Sequence, residues 1–417
     1  MSEGPAVRTV DALVGADWLT GGGAAIVLAL LGTEGEQARV VGGAVRNALM
    51  GLPVGEIDIA TTALPDEVIR RARAAGVKYA PTGIEHGTVT LIVESHPYEV
   101  TTLREDVETY GRKAKVAFGR DWARDAERRD FTVNALSADA AGRVYDYCGG
   151  LDDIAARRVR FIGDAGQRIA EDYLRILRFF RIHAAYGSGP IDPAGLSACI
   201  GGRKGLSTLS AERIRAEMLK LLVAPGAAVA LQEMGDAGLL TDLLGGVAWY
   251  ADFSAMVALE QRLALPADPM RRLAALAVWI KEDAARLKLR LRLANAEHDR
   301  LDSMAHRWWR LTALDERQAK IRLYKLGAER FRDRVMLARV RSGGEDAYWD
   351  ELLALPQRWA VPVFPLRAAD FMARGLQPGP GLGAALARAE QAWIDADFPV
   401  QASELSAIAD RAARVDE

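Results

Sequence analysis

The pattern of apolar and polar residues changes character near residue 165. Before that point, short apolar runs rich in β-branched residues predict strands at Ala38–Val41, Ile57–Thr61, Gly87–Glu94 and Tyr98–Leu103. Turn-forming Ser95–His96–Pro97 separates the last two runs and predicts a hairpin. Helices are expected at Ala44–Met50 and at Asp66–Ala75, with Pro65 at the N-terminal edge of the second. The run Ala24–Leu31, behind three glycines, reads as a core helix near the N-terminus. Further along, Ile169–Tyr186, Ser210–Leu222, Pro269–Lys281 and Ala294–Leu311 carry apolar residues at helical spacing. Arg286–Leu293 (RLKLRLRL) alternates as strictly as a strand and stays open between the two states. Gly343–Gly344 and Pro356, Pro362 and Pro365 mark loops. The expected fold is an α+β head, with a small mixed sheet and helices, followed by an all-α remainder.

Composition narrows the classes. Half of the 417 residues are hydrophobic and 26% are charged, as in a folded globular protein rather than a disordered one. The 54 Lys and Arg nearly balance 56 Asp and Glu, which excludes a histone-like basic protein. Cys148 and Cys199 are the only cysteines, so a disulfide framework and a Cys-rich zinc site are excluded, and the cytoplasm is the expected location. No segment reaches the ~20 apolar residues that cross a bilayer, so no membrane association is expected.

Three constellations carry chemistry. Gly42 and Gly43 follow a strand and precede a helix, where backbone N–H groups can approach a phosphate, and Arg46 lies one turn on. Glu56 and Asp58 form an acid-x-acid pair. On a strand they would share a face while Ile57 and Ile59 turn inward, and paired hard oxygens suit Mg²⁺. Taken alone, each pattern is as compatible with an ordinary loop or a solvated strand face. Glu171-Asp172-Tyr173-Leu174-Arg175 is the third. On one helix, Asp172 and Arg175 would meet one turn apart, as an exposed ion pair or as an acceptor and donor aimed at a base edge.

In combination these pieces resemble the nucleotidyltransferase head of the DNA-polymerase-β superfamily. More narrowly they resemble the class II tRNA nucleotidyltransferases (CCA-adding enzymes) and bacterial poly(A) polymerases. The hairpin segments Gly83–Thr90 and Tyr98–Arg104, the run Arg128-Arg129-Asp130-Phe131-Thr132-Val133-Asn134-Ala135, and Asp146 with Gly149–Gly150 continue the likeness in order. Ser210-Ala211-Glu212-Arg213, Glu217-Met218 and Lys220–Leu222 extend it into the next helices; past about residue 225 it is only a general all-α similarity.

The resemblance implies a catalytic head over residues 1–160, a base-recognising neck over 161–225, a helical body over 226–310 and a tRNA-binding tail over 311–417. It implies addition of C, C and A to tRNA 3′ ends from CTP and ATP. Glu56, Asp58 and Glu99 would act as the catalytic, magnesium-holding carboxylates. Gly42, Gly43, Arg46, Arg129, Asp130, Asn134, Asp172, Arg175, Arg178 and Arg181 would bind the nucleotide. Asp172 would accept from the exocyclic amino group of C or A while Arg175 donates to the neighbouring ring atom; G and U present the reverse order. No protein partner is implied.

Two residues depart from the family pattern. Glu56 stands where an aspartate is usual, moving the carboxylate by about 1 Å, a displacement that can cost on the order of 100-fold in rate. Asn47 stands where an aspartate is usual after the arginine, removing a charge that would orient Arg46. A catalytically weakened tRNA-binding relative is therefore one alternative. A poly(A) polymerase, or an enzyme adding only CC or only A, is another. The acidic stretch Gly343–Glu417 speaks against the poly(A) branch, whose members tend to end in a basic extension. His298–Asp299 reads as a helix pair rather than a phosphohydrolase motif. Residues Arg307–Arg341 hold eleven Lys or Arg against four acids, with Trp308, Trp309 and Tyr324 interleaved. That composition fits an RNA-backbone surface or an ordinary amphipathic helix pair.

Overall fold

The computed structural model describes residues 7–110, 113–343 and 346–414. They form two compact units. One runs to Ala248 and includes Arg290–Arg292, and the other comprises Trp249–Leu289 and the chain from Leu293 onward.

The first unit is built on ten short strands: β1 (Arg8–Val10), β2 (Ala38–Val41), β3 (Asp58–Thr61), β4 (Lys78–Gly83), β5 (Thr88–Val93), β6 (His96–Thr102), β7 (Arg104–Tyr110), β8 (Lys113–Phe118), β9 (Ser137–Ala138) and β10 (Val144–Asp146). Eight of them make one sheet in the order β1-β10-β9-β2-β3-β6-β5-β4. Only the β3–β6 pair is parallel, so the sheet is mixed as expected. Strand alternation sends Val40, Ile59, Val89, Leu91 and Val100 into the core. In the sheet register Val41 stands opposite Asp58 and Asp58 opposite Glu99. β7 and β8 form a separate two-stranded ribbon that the apolar pattern did not reveal.

Helices cover the sheet and then take over the chain. The run behind the three glycines is the helix Gly22–Leu31, and the glycine pair opens the helix Gly43–Leu49. An aromatic stack joins the loop after β8 to the first long helix. Phe131 lies 4.9 Å from Phe161, which stacks on Phe179 at 5.1 Å; Phe131 and Phe179 are fully buried. Burying side chains of this size contributes roughly 1.5–3 kcal/mol each.

Several local readings differ from expectation, and one that stayed open resolves. The hairpin turns at Glu94–Ser95, both with positive φ (51° and 66°), and His96 and Pro97 already belong to β6. This two-residue turn matches the twist of the strands without the usual glycine. The expected helix Ile169–Tyr186 is two, Ala165–Glu171 and Leu174–Tyr186, because Asp172 adopts an extended conformation (φ −154°, ψ 106°). The alternating RLKLRLRL run lies mainly in the helix Lys281–Leu291, where Leu287 and Leu291 are buried and Leu289 is exposed. Pro356 sits inside the helix Asp346–Arg358 rather than in a loop.

In the second unit the helices Tyr250–Arg262, Pro269–Ala277 and Asn295–Ala305 share a buried ion network with the helix Glu316–Ser342. Glu260 accepts from Arg271 and Arg272, and Asp333 from Arg271 and Arg300. Gly327 (φ 75°, ψ 164°) interrupts the Glu316–Ser342 helix. Its N-terminal half packs Ile321 and Tyr324 against a last core around Phe371, Trp393 and Ile408. No helix among the described residues is long and apolar enough to cross a membrane.

Candidate active site

A cleft of about 530 Å³ in the first unit gathers residues from four parts of the chain. It is lined by the glycine turn, Glu56 and Asp58, the run Arg128–Asn134, and the helices after residue 171.

Gly42 ends β2 with φ 70° and ψ −124°, a conformation that costs a side-chain-bearing residue on the order of 1–3 kcal/mol. A Cβ there would also lie 3.5 Å from an Arg129 guanidinium nitrogen. The turn delivers Arg46 into the cleft wall, where it is buried and stacked 3.6 Å over the Tyr186 ring. It donates to Asn134 Oδ1 at 2.5 Å and, with two nitrogens, to Asn47 Oδ1 at 2.8 and 3.2 Å. Asn47 therefore still orients Arg46, as a neutral acceptor. Burial lowers the Arg46 pKa, and Arg181 lowers it further, while Tyr186 and Asp130 oppose them.

The carboxylates come next. β3 begins at Asp58, so Glu56 lies in the extended segment before the strand and not on the strand face. It still lines the cleft with Asp58, and the parallel register sets Glu99 beside Asp58. Among the described residues none donates a hydrogen bond to any of the three carboxylates. Desolvation in the cleft raises the Asp58 carboxyl pKa first, Glu99 and Glu56 raise it further, and Arg129 opposes them. Adjacent acids without donors repel one another, and a divalent cation relieves that repulsion. Among the described residues no three His, Cys, Asp or Glu side chains stand close enough to hold a metal ion together. A hard cation that completes its shell with phosphate oxygens needs only one or two carboxylates from the protein.

Charge of the opposite sign lines the rest of the cleft, and acids hold most of these arginines in place. Arg128 and Arg129 donate to buried Asp125 at 3.0 and 3.1 Å. Asp130 is buried, accepts from Asn134 at 3.1 Å and grips Arg178, whose Nε approaches to 2.7 Å. Burial alone would raise the Asp130 pKa, but Arg178 and Asn134 hold it below the usual carboxylate range. Arg178 is held charged in return, against the effect of its own burial. Arg181 donates to Glu217 at 2.5 Å. Asp130 and Glu217 thus work by positioning the arginines.

The expected contact between Asp172 and Arg175 is absent. The chain bends at Asp172, so its Oδ1 accepts from Leu174 N (3.1 Å) at the start of the next helix and its Oδ2 accepts from Arg213 (2.6 Å). Arg175 instead pairs with Glu171 and donates to the Arg168 carbonyl at 2.8 Å. Both Asp172 and Arg175 still line the cleft. Sequence reasoning missed Arg213 as a site residue, along with Glu171, Glu217 and Asp125. Arg213, Glu171 and Glu217 lie inside matched motifs, where a search for each arginine's counter-ion would have found them.

A glycine turn, unpaired acids on adjacent strands and a wall of positioned arginines define a nucleotidyltransferase of the polymerase-β type. Residues 38–160 match the family described as "Poly A polymerase head domain", and residues 191–249 match "Probable RNA and SrmB- binding site of polymerase A". The chain is 34% identical over 387 residues to human mitochondrial CCA tRNA nucleotidyltransferase 1, covering 89% of this chain and 86% of the human one. It is 42% identical over 222 residues to the CCA-adding enzyme of Geobacillus thermodenitrificans, about half of each chain. Among solved structures it resembles the Bacillus stearothermophilus CCA-adding enzyme in complex with CTP, at 27% identity and TM-score 0.71, covering 93% of this chain and 96% of that one. The chain belongs to the CCA tRNA nucleotidyltransferase family.

Proposed function

We propose that this enzyme adds C, C and A in turn to the 3′ end of tRNA, taking CTP and ATP as substrates and magnesium as its metal. One observation carries the reading: unpaired carboxylates and the Asp172–Arg175 segment line one cleft together with a row of fixed arginines. The family is one of divalent-metal-dependent transferases, and Glu56, Asp58 and Glu99 are the residues we assign to the metal. Bound there, magnesium would lower the pKa of the RNA 3′-hydroxyl and neutralise the departing pyrophosphate.

The chain's own residues do the rest. Gly42, Gly43 and Arg46 cradle the triphosphate, with Arg129 and Asn134 beside them. Arg178 and Arg181, braced by Asp130 and Glu217, neutralise its outer charge. Asp172 keeps lone pairs free on both oxygens and accepts from the amino group of C or A. Arg175 keeps donors beyond the one that meets Glu171 and donates to the adjacent ring atom. We retain the division into head (1–160), neck (161–225), body (226–310) and tail (311–417), with the last two holding tRNA. Both thiols are free, which supports a reducing compartment, and we place the enzyme in the cytoplasm.

The curated relatives are CCA-adding, which favours that branch over poly(A) synthesis. The test is extension of tRNA lacking its CCA, titrated with magnesium, by the wild type and by Asp58→Asn. The wild type should add three nucleotides in a metal-dependent way, and Asp58→Asn should be slower by on the order of 1,000-fold. Equal rates for the two would remove Asp58 from the reaction, and tRNA binding without extension would identify the weakened relative.

A further inference from the structure

Eleven cations between Arg307 and Arg341 do not act alike. Lys320 pairs with Glu316, Arg339 with Asp350 and Arg341 with Asp252, while Arg317 donates to the Asp395 carbonyl. Arg310, Arg322 and Arg334 have no acidic partner among the described residues. Arg334 is 4% exposed, and its Nε is buried without an acceptor. One of its terminal nitrogens donates to the His306 carbonyl, at the entry to the turn Trp308–Leu311. The buried indole N–H of Trp308 lacks an acceptor as well. The nearby acids are already engaged: Asp302 meets Lys281, and Asp333 meets Arg271 and Arg300. Burial and the neighbouring Arg322 bring the Arg334 pKa down to about 10; burial and Arg310 lower that of Arg322. Arg322 repels both Arg310 and Arg334, and guanidinium groups without acids beside orphaned, buried donors are the complement of an anion. Beside Arg310, Trp309 is half exposed and touches Trp308 edge-on at 6.0 Å, which leaves ring surface for stacking.

We propose that Arg310, Arg322 and Arg334 form a binding site for a single RNA backbone phosphate, with Trp309 stacking on a neighbouring base or ribose. The inference rests on the tRNA reading above and deepens it by naming the anchor. An adjacent aromatic platform favours a nucleic-acid phosphate over a free one.

The test is tRNA affinity as a function of salt for the wild type and four variants. Arg322→Gln and Arg310→Gln should each weaken binding about tenfold and flatten the log–log salt slope by about one unit. The double variant should flatten it no further, because both residues serve one phosphate. Trp309→Ala should weaken binding about tenfold with the slope unchanged, since stacking releases no counter-ions. Arg73→Gln removes the same charge from the helix Pro65–Ala74, outside the cleft and the tail, and should change neither. Wild-type affinity and slope in both Arg310→Gln and Arg322→Gln would overturn the site, and additive slope losses in the double variant would overturn its single-phosphate character. Inorganic phosphate at matched ionic strength tests the other source. If it raises the melting temperature of the wild type but not of Arg322→Gln, and Arg322→Gln binds tRNA normally, the site serves free phosphate and the RNA reading falls. CCA extension by the unaltered enzyme is run alongside. Failure of the function proposed above shows as lost extension there, and failure of this site shows as unaltered tRNA binding in the variants.

Discussion

Removing Arg213 should blunt nucleotide selection without dismantling the site. Its guanidinium lies 2.6 Å from Asp172 Oδ2 and is one of two anchors on that carboxylate; the other is the Leu174 N–H. A hydrogen bond to a charged group is worth ~1.5–3 kcal/mol. These side chains are 36% and 30% exposed, so solvent screening reduces the value to about 1 kcal/mol. That energy corresponds to roughly fivefold in kcat/KM. Arg213→Ala should therefore lower kcat/KM for CTP and ATP about fivefold each and raise misincorporation of GTP and UTP, with Arg213→Lys recovering part of the loss. The assay is single-nucleotide addition to tRNA ending just before the first C, the second C or the terminal A, in a double-mutant cycle with Asp172→Ala. If Arg213 acts through Asp172, its removal changes nothing further once Asp172 is gone. Additive losses would refute the positioning role.

Other consequences can be measured independently. Glu56→Gln should cost more than ~100-fold in rate, whereas Glu56→Asp should stay within about tenfold, because position 56 precedes β3 and is free of the strand ladder; single-turnover extension reads both. Gly42→Ala should destabilise the fold by about 1–3 kcal/mol in urea denaturation, since its backbone lies at φ 70°, ψ −124°. Acid should act through Asp125 and Asp130, whose folded pKa values are depressed by their arginines. Their stabilisation is fully present above the unfolded carboxylate pKa of about 3.9 and is lost as pH falls below it toward the folded values. Denaturant midpoints at pH 7, 4 and 3 should show that fall, and Asp130→Asn should lessen it.

Much of the site could be read from the sequence because its chemistry is carried by short, ordered runs. Gly42-Gly43 after a β-branched strand, Asp58 at the start of the next strand, and the Arg128–Asn134 run all line the cleft. Glu99 was placed from the hairpin, and its pairing with Asp58 depends on a parallel register that no local pattern encodes. Helical spacing suggested that Asp172 meets Arg175. The backbone break at Asp172 defeats that argument, because i,i+3 geometry holds only within one helix. The pairings of Arg213 with Asp172 and of Glu217 with Arg181 join separate helices and are chosen by tertiary packing, whereas Asp125 meets Arg128 and Arg129 at i,i+3 and i,i+4, a spacing the sequence does show. The Asn47 substitution looked like a lost ion pair, but the amide oxygen accepts two bonds from Arg46 in the same place. In the second unit the cations of the basic stretch are not equivalent: Lys320, Arg339 and Arg341 meet acids, whereas Arg317 and Lys325 meet neutral oxygens, a division that tertiary packing sets.

The central claim is that protein side chains in this cleft dictate the sequence C, C, A. The most direct measurement supplies tRNA lacking its CCA with all four nucleoside triphosphates and magnesium, and sequences the 3′ ends. The account predicts that extension stops at CCA, with G and U rare, and that Asp172→Ala broadens the ends to all four bases. Tails of repeated A, or ends whose composition follows the nucleotide concentrations supplied to the wild type, would contradict it.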